Sequence, residues 1–194
     1  MKKPCWLVKG AIHSVGCYCK RREVDIFTIG HSNHELGKFI ELLKASKIEV
    51  LVDIRSNPYS RYASQFNKDS LTTAIQASGI RYLFIGKELG GRPKDREFYD
   101  SEGQILYPLL SESPLFLEGI ERLINGMKTY RVALMCSEEN PANCHRYLLV
   151  GRVLEDRGVM VFHIRGNGNI QSKDDISQEN EKLKGNEGQQ SLFK

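Results

Sequence analysis

The chain has 194 residues, of which 40% are hydrophobic and 27% charged, a composition typical of one globular domain with extensions. Lys and Arg outnumber Asp and Glu by 28 to 24, which permits an anionic ligand but lacks the clustered basic stripe of a protein that coats DNA. The sequence has no apolar run approaching the roughly 18 residues of a membrane helix, and residues 1–23 lack the apolar centre of a secretory signal. We therefore expect a cytoplasmic protein with no membrane contact.

The hydrophobic pattern becomes regular from residue 24 onward. The first predicted strand, VDIFTIG, leads into the helix NHELGKFIELLKASK, whose apolar residues recur at helical spacing. A nearly continuous apolar strand, IEVLVDIRSNP, precedes the helix NKDSLTTAIQASG and a third strand, IRYLFIG. An irregular segment follows at residues 87–113, and its length is typical of a functional or mobile loop.

The rest of the domain continues the alternation of helices and strands. Beyond the irregular segment we predict the helix PLFLEGIERLINGMKT, the strand YRVALMC, the helix ANCHRYLLVGRVLEDRG and the strand VMVFHI. This order predicts an α/β fold, a single-domain three-layer sandwich with a mainly parallel five-stranded sheet flanked by helices.

Composition divides the chain into three segments. Residues 1–23 are predicted to be a flexible leader, residues 24–165 the α/β domain, and residues 166–194 a polar tail that is disordered because it can bury little apolar surface. The five cysteines are an odd number, which argues against a disulfide framework. We regard the three in the leader, Cys5, Cys17 and Cys19, as incidental.

Polar residues gather where the predicted strands end. Because ligands of open parallel sheets bind beyond the carboxyl ends of the strands, these residues are the candidates for a shared cleft. In chain order they are His31, Ser32, Asp53, Arg55, Ser60, Arg61, Gly90, Gly91, Cys136, Glu138, Cys144, His145 and Arg146.

The segment CSEENPANCHR is the richest in chemistry. Cys144 and His145 lie near the predicted start of a helix, whose partial positive charge lowers a thiol pKa and attracts anions. Arg146 is suited to a bidentate grip on phosphate or carboxylate, and Glu138 to acid or base catalysis. The segment therefore predicts a reactive thiolate or an anion pocket. The alternative is that Cys136 is an ordinary buried thiol and Arg146 a surface residue.

A metal site is a further alternative for the same segment. Cys136, Cys144 and His145 could supply three ligands to a catalytic zinc ion, with His31 or water as the fourth. Their spacing, however, matches no standard zinc knuckle, so the leading interpretation assigns no metal and no cofactor.

The segment DIRSNPYSR has a second set of anion-binding groups. Asp53 near Arg55 can hold a guanidinium in place, and Arg61 with Ser60 adds donors suited to phosphate. A structural ion pair with a solvated basic loop explains the same residues. The adjacent Gly90 and Gly91 permit close approach of a ligand, as would a simple turn.

Four blocks in the same order resemble the DUF488 family, a set of bacterial and archaeal proteins named for their unknown function. The blocks are TIGHS, LVDIRSNPYSR with QFN, LGG, and LMCSEENPANCHR, and the resemblance covers approximately Val24 to Ile164. It places the family pattern on most of the candidate residues above and implies that they form one pocket. It implies no reaction.

The tail ends in QQSLF, which resembles the short peptide by which bacterial polymerases and repair proteins bind the DNA sliding clamp. Apolar anchors on a flexible tether can fill a preformed groove while the domain remains free to act. The residues that would bind this partner are Gln189, Leu192 and Phe193.

These observations lead to three functional hypotheses. The first is an enzyme acting on a phosphate-bearing substrate, a nucleotide or nucleic acid, with Arg55, Arg61 and Arg146 on the anion. In it a thiol is the nucleophile, Glu138 and His145 transfer protons, and His31 positions the substrate. The second is a non-catalytic nucleotide-binding or DNA-binding module recruited to the sliding clamp. The third is a zinc-dependent hydrolase that uses the two thiols and His145.

Overall fold

The computed structural model describes residues 25–178, so the predicted leader, with its cysteines, and the clamp-binding-like peptide lie outside the described residues. One sheet contains the strands β1 (Asp25–Gly30), β2 (Val50–Asp53), β3 (Arg81–Phe84), β4 (Val132–Cys136), β5 (Met160–Ile164) and β6 (Ile170–Gln171). Their order across the sheet is β3-β2-β4-β1-β5-β6. The first five strands pair in parallel, and β6 pairs antiparallel with β5.

The helices are α1 (Leu36–Ala45), α2 (Lys68–Ala77), α3 (Gly86–Leu89), α4 (Tyr107–Ser111), α5 (Pro114–Met127) and α6 (Arg152–Asp156). A π-helix (Arg146–Gly151) runs directly into α6, where the sequence predicted one uniform helix. The predicted irregular segment contains the short helices α3 and α4, the latter begun by a proline in its first turn and held by a buried Leu110. Within residues 25–178, no helix is long and apolar enough to cross a membrane.

Side chains that alternate along the strands build a separate core on each face of the sheet. On β4, Val132 and Leu134 belong to the core that packs against α5 and α6, whereas Ala133 and Met135 belong to the core that packs against α1 and α2. Helices therefore cover both faces, and the predicted three-layer α/β sandwich is confirmed.

The predicted strand count and the predicted domain end need correction. The sheet has six strands in the described residues, because the chain turns at Gly168 (φ 89°) and Arg165 N–H donates to the Asn169 carbonyl at 2.9 Å. Residues 173–178 are helical and bury Ile176. The ordered part thus extends past residue 165. Composition could not predict this, because a short antiparallel strand is held by backbone hydrogen bonds rather than by apolar side chains.

The topology opens a crevice at the end of β4. This strand lies between β1 and β2. The chain leaves β1 and β2 for the helices of one face, but leaves β4 for the π-helix and α6 on the other. Loops that diverge in this way leave space beyond the carboxyl ends of the strands, where ligands of open α/β sheets bind.

Candidate functional site

A cavity of about 580 Å³ lies at the carboxyl ends of β2 and β4. It brings together residues from four parts of the chain that the sequence places far apart. Six of the predicted site residues line it: Arg55, Gly91, Cys136, Glu138, Cys144 and His145.

Two thiols and one imidazole converge in this cavity. Cys136 ends β4, and a turn at Pro141–Asn143 brings the chain back so that Cys144, with extended backbone, precedes the π-helix. The Nδ1 atom of His145 lies 3.6 Å from Cys136 Sγ and 4.0 Å from Cys144 Sγ. Both cysteines are buried and free, and the three atoms all lie within 4.8 Å of one another.

The tautomer of His145 follows from its other nitrogen. Nε2 lies 3.0 Å from the carbonyl oxygen of Ile54, which can only accept a hydrogen bond. Nε2 must therefore carry the proton, so the lone pair of Nδ1 faces the two thiols in the neutral ring. This lone pair can accept a thiol proton or bind a metal ion.

The two thiols differ in pKa. The nearby Cys144 thiol lowers the pKa of Cys136 well below its usual value, and the neighbouring His145 lowers it further. The presence of Cys136, together with burial, raises the pKa of Cys144. Cys136 is therefore the more acidic thiol of the pair.

The same three atoms are near enough to one another to hold a metal ion such as zinc. In a tetrahedral zinc site with Zn–S of about 2.3 Å and Zn–N of about 2.0 to 2.1 Å, neighbouring donor atoms lie about 3.5 to 3.8 Å apart. The His145 Nδ1 to Sγ separations are 3.6 Å for Cys136 and 4.0 Å for Cys144. A nitrogen and a sulfur on one zinc ion lie about 3.5 to 3.6 Å apart, so the first pair matches and the second would close by about 0.4 Å on binding. A metal-binding histidine also donates its second N–H to a carbonyl or carboxylate, and His145 does so to Ile54.

Asp53, Arg55 and His31 form a hydrogen-bonded group behind the cavity wall. Arg55 donates to both carboxylate oxygens of Asp53, at 3.0 and 2.7 Å, and to the Phe66 carbonyl at 2.8 Å. It also donates to Nε2 of His31 at 3.2 Å, while Nδ1 of His31 donates to the Ser32 carbonyl at 2.7 Å. Burial lowers the pKa of His31, and both its ring nitrogens are engaged in these hydrogen bonds.

Arg146 is placed differently from the sequence prediction. We expected it to hold the substrate, but it is fully buried and does not line the cavity. Its guanidinium donates to the carbonyl oxygens of Glu138 and Glu139, the latter at 2.5 Å. The π-helix that begins at this residue turns the side chain under the loop after β4, so Arg146 supports the cavity wall from beneath.

Four other predicted residues also lie off the cavity. The Ser32 hydroxyl donates to the neighbouring Asn33 side chain, and the Ser60 hydroxyl accepts from the backbone of its own loop. Gly90 packs against Ser56, and Arg61 is exposed beyond the cavity. Of the anion-binding arginines that we predicted, Arg55 alone lines the cavity, and most of its donors are used within the protein.

The cavity also contains residues that did not enter our predicted site. They include Arg92 and Tyr107, from the segment that the sequence predicted to be irregular, together with Asn57, Ile105, Ser137 and Asn143. Arg92 follows the two glycines of the LGG block, and its backbone N–H donates to the Ser56 hydroxyl at 2.8 Å. That position beside a glycine pair was the signal that could have identified it.

The fold and the cavity define an α/β protein with a cysteine and histidine pocket at the carboxyl edge of a mainly parallel sheet. The model of the family described as a domain of unknown function, DUF488, matches residues 35–153. The chain belongs to this family. Searches of curated proteins and of solved structures each found no match.

Proposed function

We propose that the protein is a zinc-dependent hydrolase that acts on a phosphate-bearing substrate. The observation that carries the proposal is the convergence of Cys136 Sγ, Cys144 Sγ and His145 Nδ1 in a large open cavity. Two soft thiolates and an imidazole favour zinc over magnesium or calcium. Three protein ligands also leave a fourth position for water or substrate, as in catalytic zinc sites.

The residues around the three ligands have distinct tasks in this proposal. Bound zinc would supply an activated water and polarise the substrate. Ile54 holds the His145 ring in the tautomer that leaves Nδ1 free to bind. Glu138 is exposed and lines the same cavity, so its carboxylate is available to accept and return a proton.

Arg92 is the residue that we assign to the substrate phosphate. Its side chain is exposed and lines the cavity, whereas Arg146 is buried and Arg55 is bonded to Asp53. It also lies near Tyr107: burial and the two thiols raise the pKa of that tyrosine, and the charge of Arg92 opposes them. A guanidinium with free donors at the wall of a cavity is suited to a bidentate contact with phosphate.

Metal analysis of the full chain tests the proposal directly. Protein produced with added zinc should contain one bound zinc per chain, and the variants Cys136→Ser, Cys144→Ser and His145→Ala should lose it while keeping the circular dichroism of the folded protein. The matched control is the triple variant Cys5→Ser, Cys17→Ser, Cys19→Ser, which should retain the metal. A wild-type protein that neither contains zinc nor binds it on titration would refute the proposal.

A metal-free thiol enzyme is the second candidate, because the Cys144 thiol lowers the pKa of Cys136 and His145 lies beside it. Hydrolysis of generic phosphate monoesters and diesters separates the two candidates. Activity that chelation abolishes and zinc restores supports the metal enzyme. Activity that survives chelation and is lost in Cys136→Ser supports the thiol enzyme.

The partner and the compartment rest on the sequence. We propose that Gln189, Leu192 and Phe193 bind a DNA sliding clamp and that the protein acts in the cytoplasm, where the two free thiols remain reduced. Removal of residues 189–194 should abolish binding to purified clamp and leave zinc content unchanged. Clamp binding by the truncated chain at full strength would contradict the docking proposal.

A further inference from the structure

The loop between β2 and α2 displays two tyrosines on either side of an arginine. Tyr62 is fully exposed, 53% of the surface of Tyr59 is exposed, and Arg61 between them is exposed as well. Aromatic side chains usually bury most of their surface. Two exposed rings so close together are therefore typical of a surface that binds a partner.

Hydrogen bonds hold this loop in one conformation. The hydroxyl of Ser60 accepts from the backbone N–H groups of Tyr62 and Ala63, at 3.2 and 3.3 Å. The side chain of Asn67 accepts from Ser60 N–H at 2.7 Å, and the Pro58 carbonyl accepts from Lys68 N–H at 3.0 Å. Because the backbone is already ordered, binding at the exposed rings costs little further conformational entropy.

The loop begins at the wall of the cavity. Ser56 and Asn57 line the cavity, and Tyr59 follows two residues later. At about 3.8 Å per residue, the Cα atom of Arg61 lies no more than about 15 Å from that of Asn57. A ligand that stacks on the two tyrosine rings beside Arg61 can therefore extend into the cavity, where Arg92 is a second cationic residue.

We propose that Tyr59, Arg61 and Tyr62 bind single-stranded nucleic acid and lead it to the cavity. Bases have flat faces that stack on tyrosine rings whatever their sequence, and the phosphate between two bases carries the charge that Arg61 matches. A duplex keeps its bases stacked on one another and cannot offer these faces. The inference rests on the proposed function, because it specifies the substrate class of that same cavity.

Fluorescence anisotropy with the full-length chain tests this surface. The probes are end-labelled oligothymidylate and oligouridylate, with a labelled hairpin duplex of equal length. We expect both single strands to bind more tightly than the duplex, and Tyr59→Ala and Tyr62→Ala each to weaken single-strand binding about tenfold. Arg61→Ala should weaken binding to all single strands and reduce the slope of log K against log salt by about 0.7.

Two exposed residues outside the loop supply matched controls. Leu115 on α5 and Arg152 on α6 belong to helices that pack on the opposite face of the sheet from α2. The variants Leu115→Ala and Arg152→Ala should bind single strands as tightly as the wild type. If these controls lose as much single-strand affinity as the tyrosine variants, the assignment to the loop is overturned. Tighter binding of the duplex than of the single strands would overturn it as well.

The variant His145→Ala separates this inference from the proposed function. It should lose zinc and still bind single strands, because the loop does not depend on the metal. Zinc binding without any single-strand binding, or with binding that the tyrosine variants leave unchanged, would overturn the inference and leave the proposed function standing. If the wild-type protein has no zinc affinity but binds single strands in a way that depends on the tyrosines, the proposed function is overturned and the inference stands.

Discussion

Gly91 lies directly against the imidazole of His145. A Cβ atom at position 91 would lie 2.5 Å from Cγ and 3.0 Å from Nδ1 of that ring, closer than non-bonded atoms normally approach. Nδ1 is the atom that faces both thiols. The backbone of the loop after α3 therefore determines where the candidate metal ligand stands, and this contact explains why a glycine is needed there.

The variant Gly91→Ala should displace the His145 ring. We expect zinc affinity to fall by about 10-fold to 100-fold, as when other groups that orient a metal ligand are changed. The matched control is Gly126→Ala on α5, since a Cβ atom at position 126 would meet nothing within 4 Å. Competition of each variant with a zinc-binding dye measures the affinity. Unchanged affinity in Gly91→Ala would show that the contact does not position the ring.

Disruption of the buried pair of Asp53 and Arg55 should destabilise the fold far more than disruption of a surface pair. The two side chains are 0% and 5% exposed, and the Arg55 guanidinium also bonds to the Phe66 carbonyl. We expect Arg55→Lys to lower the free energy of unfolding by about 3 kcal/mol, because a single ammonium cannot satisfy these acceptors. The control Arg157→Lys alters an exposed pair with Glu121. It should change the free energy of unfolding by less than about 0.5 kcal/mol. Urea unfolding measures both.

Protonation of His163 should destabilise the protein in acid. This ring is fully buried beside Thr28, and burial, with the charges of Arg146 and Arg165, lowers its pKa to about 3. An unfolded histidine has a pKa of about 6.5, so between these values the unfolded chain binds more protons than the folded one. The free energy of unfolding should therefore fall as the pH decreases from about 6.5 towards 3, by up to about 1.4 kcal/mol per pH unit from this residue.

Urea unfolding at several pH values checks this dependence. The variant His163→Gln should show a smaller decrease in the free energy of unfolding between about pH 6.5 and pH 5. His31 remains in that variant and acts in the same direction, because burial lowers its pKa as well. Identical slopes in the variant and the wild type would contradict the assignment to His163.

In metal-free protein, Cys136 should be the more reactive thiol at neutral pH. Its pKa is lowered by the Cys144 thiol and by His145, and the thiolate is the form that alkylates. A time course with iodoacetamide, mapped by peptide mass spectrometry, should show modification of Cys136 before Cys144. Cys144→Ala removes the nearby thiol and should slow alkylation at Cys136. Faster modification of Cys144 would mean that Cys144, and not Cys136, has the lower pKa.

Most of the fold could be predicted from the order and period of apolar residues. The runs around Ile26, Leu51 and Leu134 predicted buried strands, and these strands are fully covered on both faces. The last strand, Ile170–Gln171, and the π-helix at Arg146–Gly151 could not be predicted in this way. Both depend on backbone hydrogen bonds, which leave little trace in the pattern of side chains.

Part of the candidate site could be predicted as well. Cys136, Cys144 and His145 occur in one short segment at the end of a strand, so their proximity followed from the local chain. The roles of the arginines could not be predicted from the sequence. Arg92 and Arg146 have the same charge in the sequence, but one is exposed at the cavity and the other is buried under it.

The sequence by itself determined the alternation of strands and helices, the family and the segment that contains the candidate ligands, because hydrophobic period and short-range spacing are local properties of the chain. Only the tertiary structure decided which atoms face one another. The direction of the His145 lone pair depends on the Ile54 carbonyl, 91 residues away along the chain, and the ring position depends on Gly91. Such contacts arise when distant segments pack together.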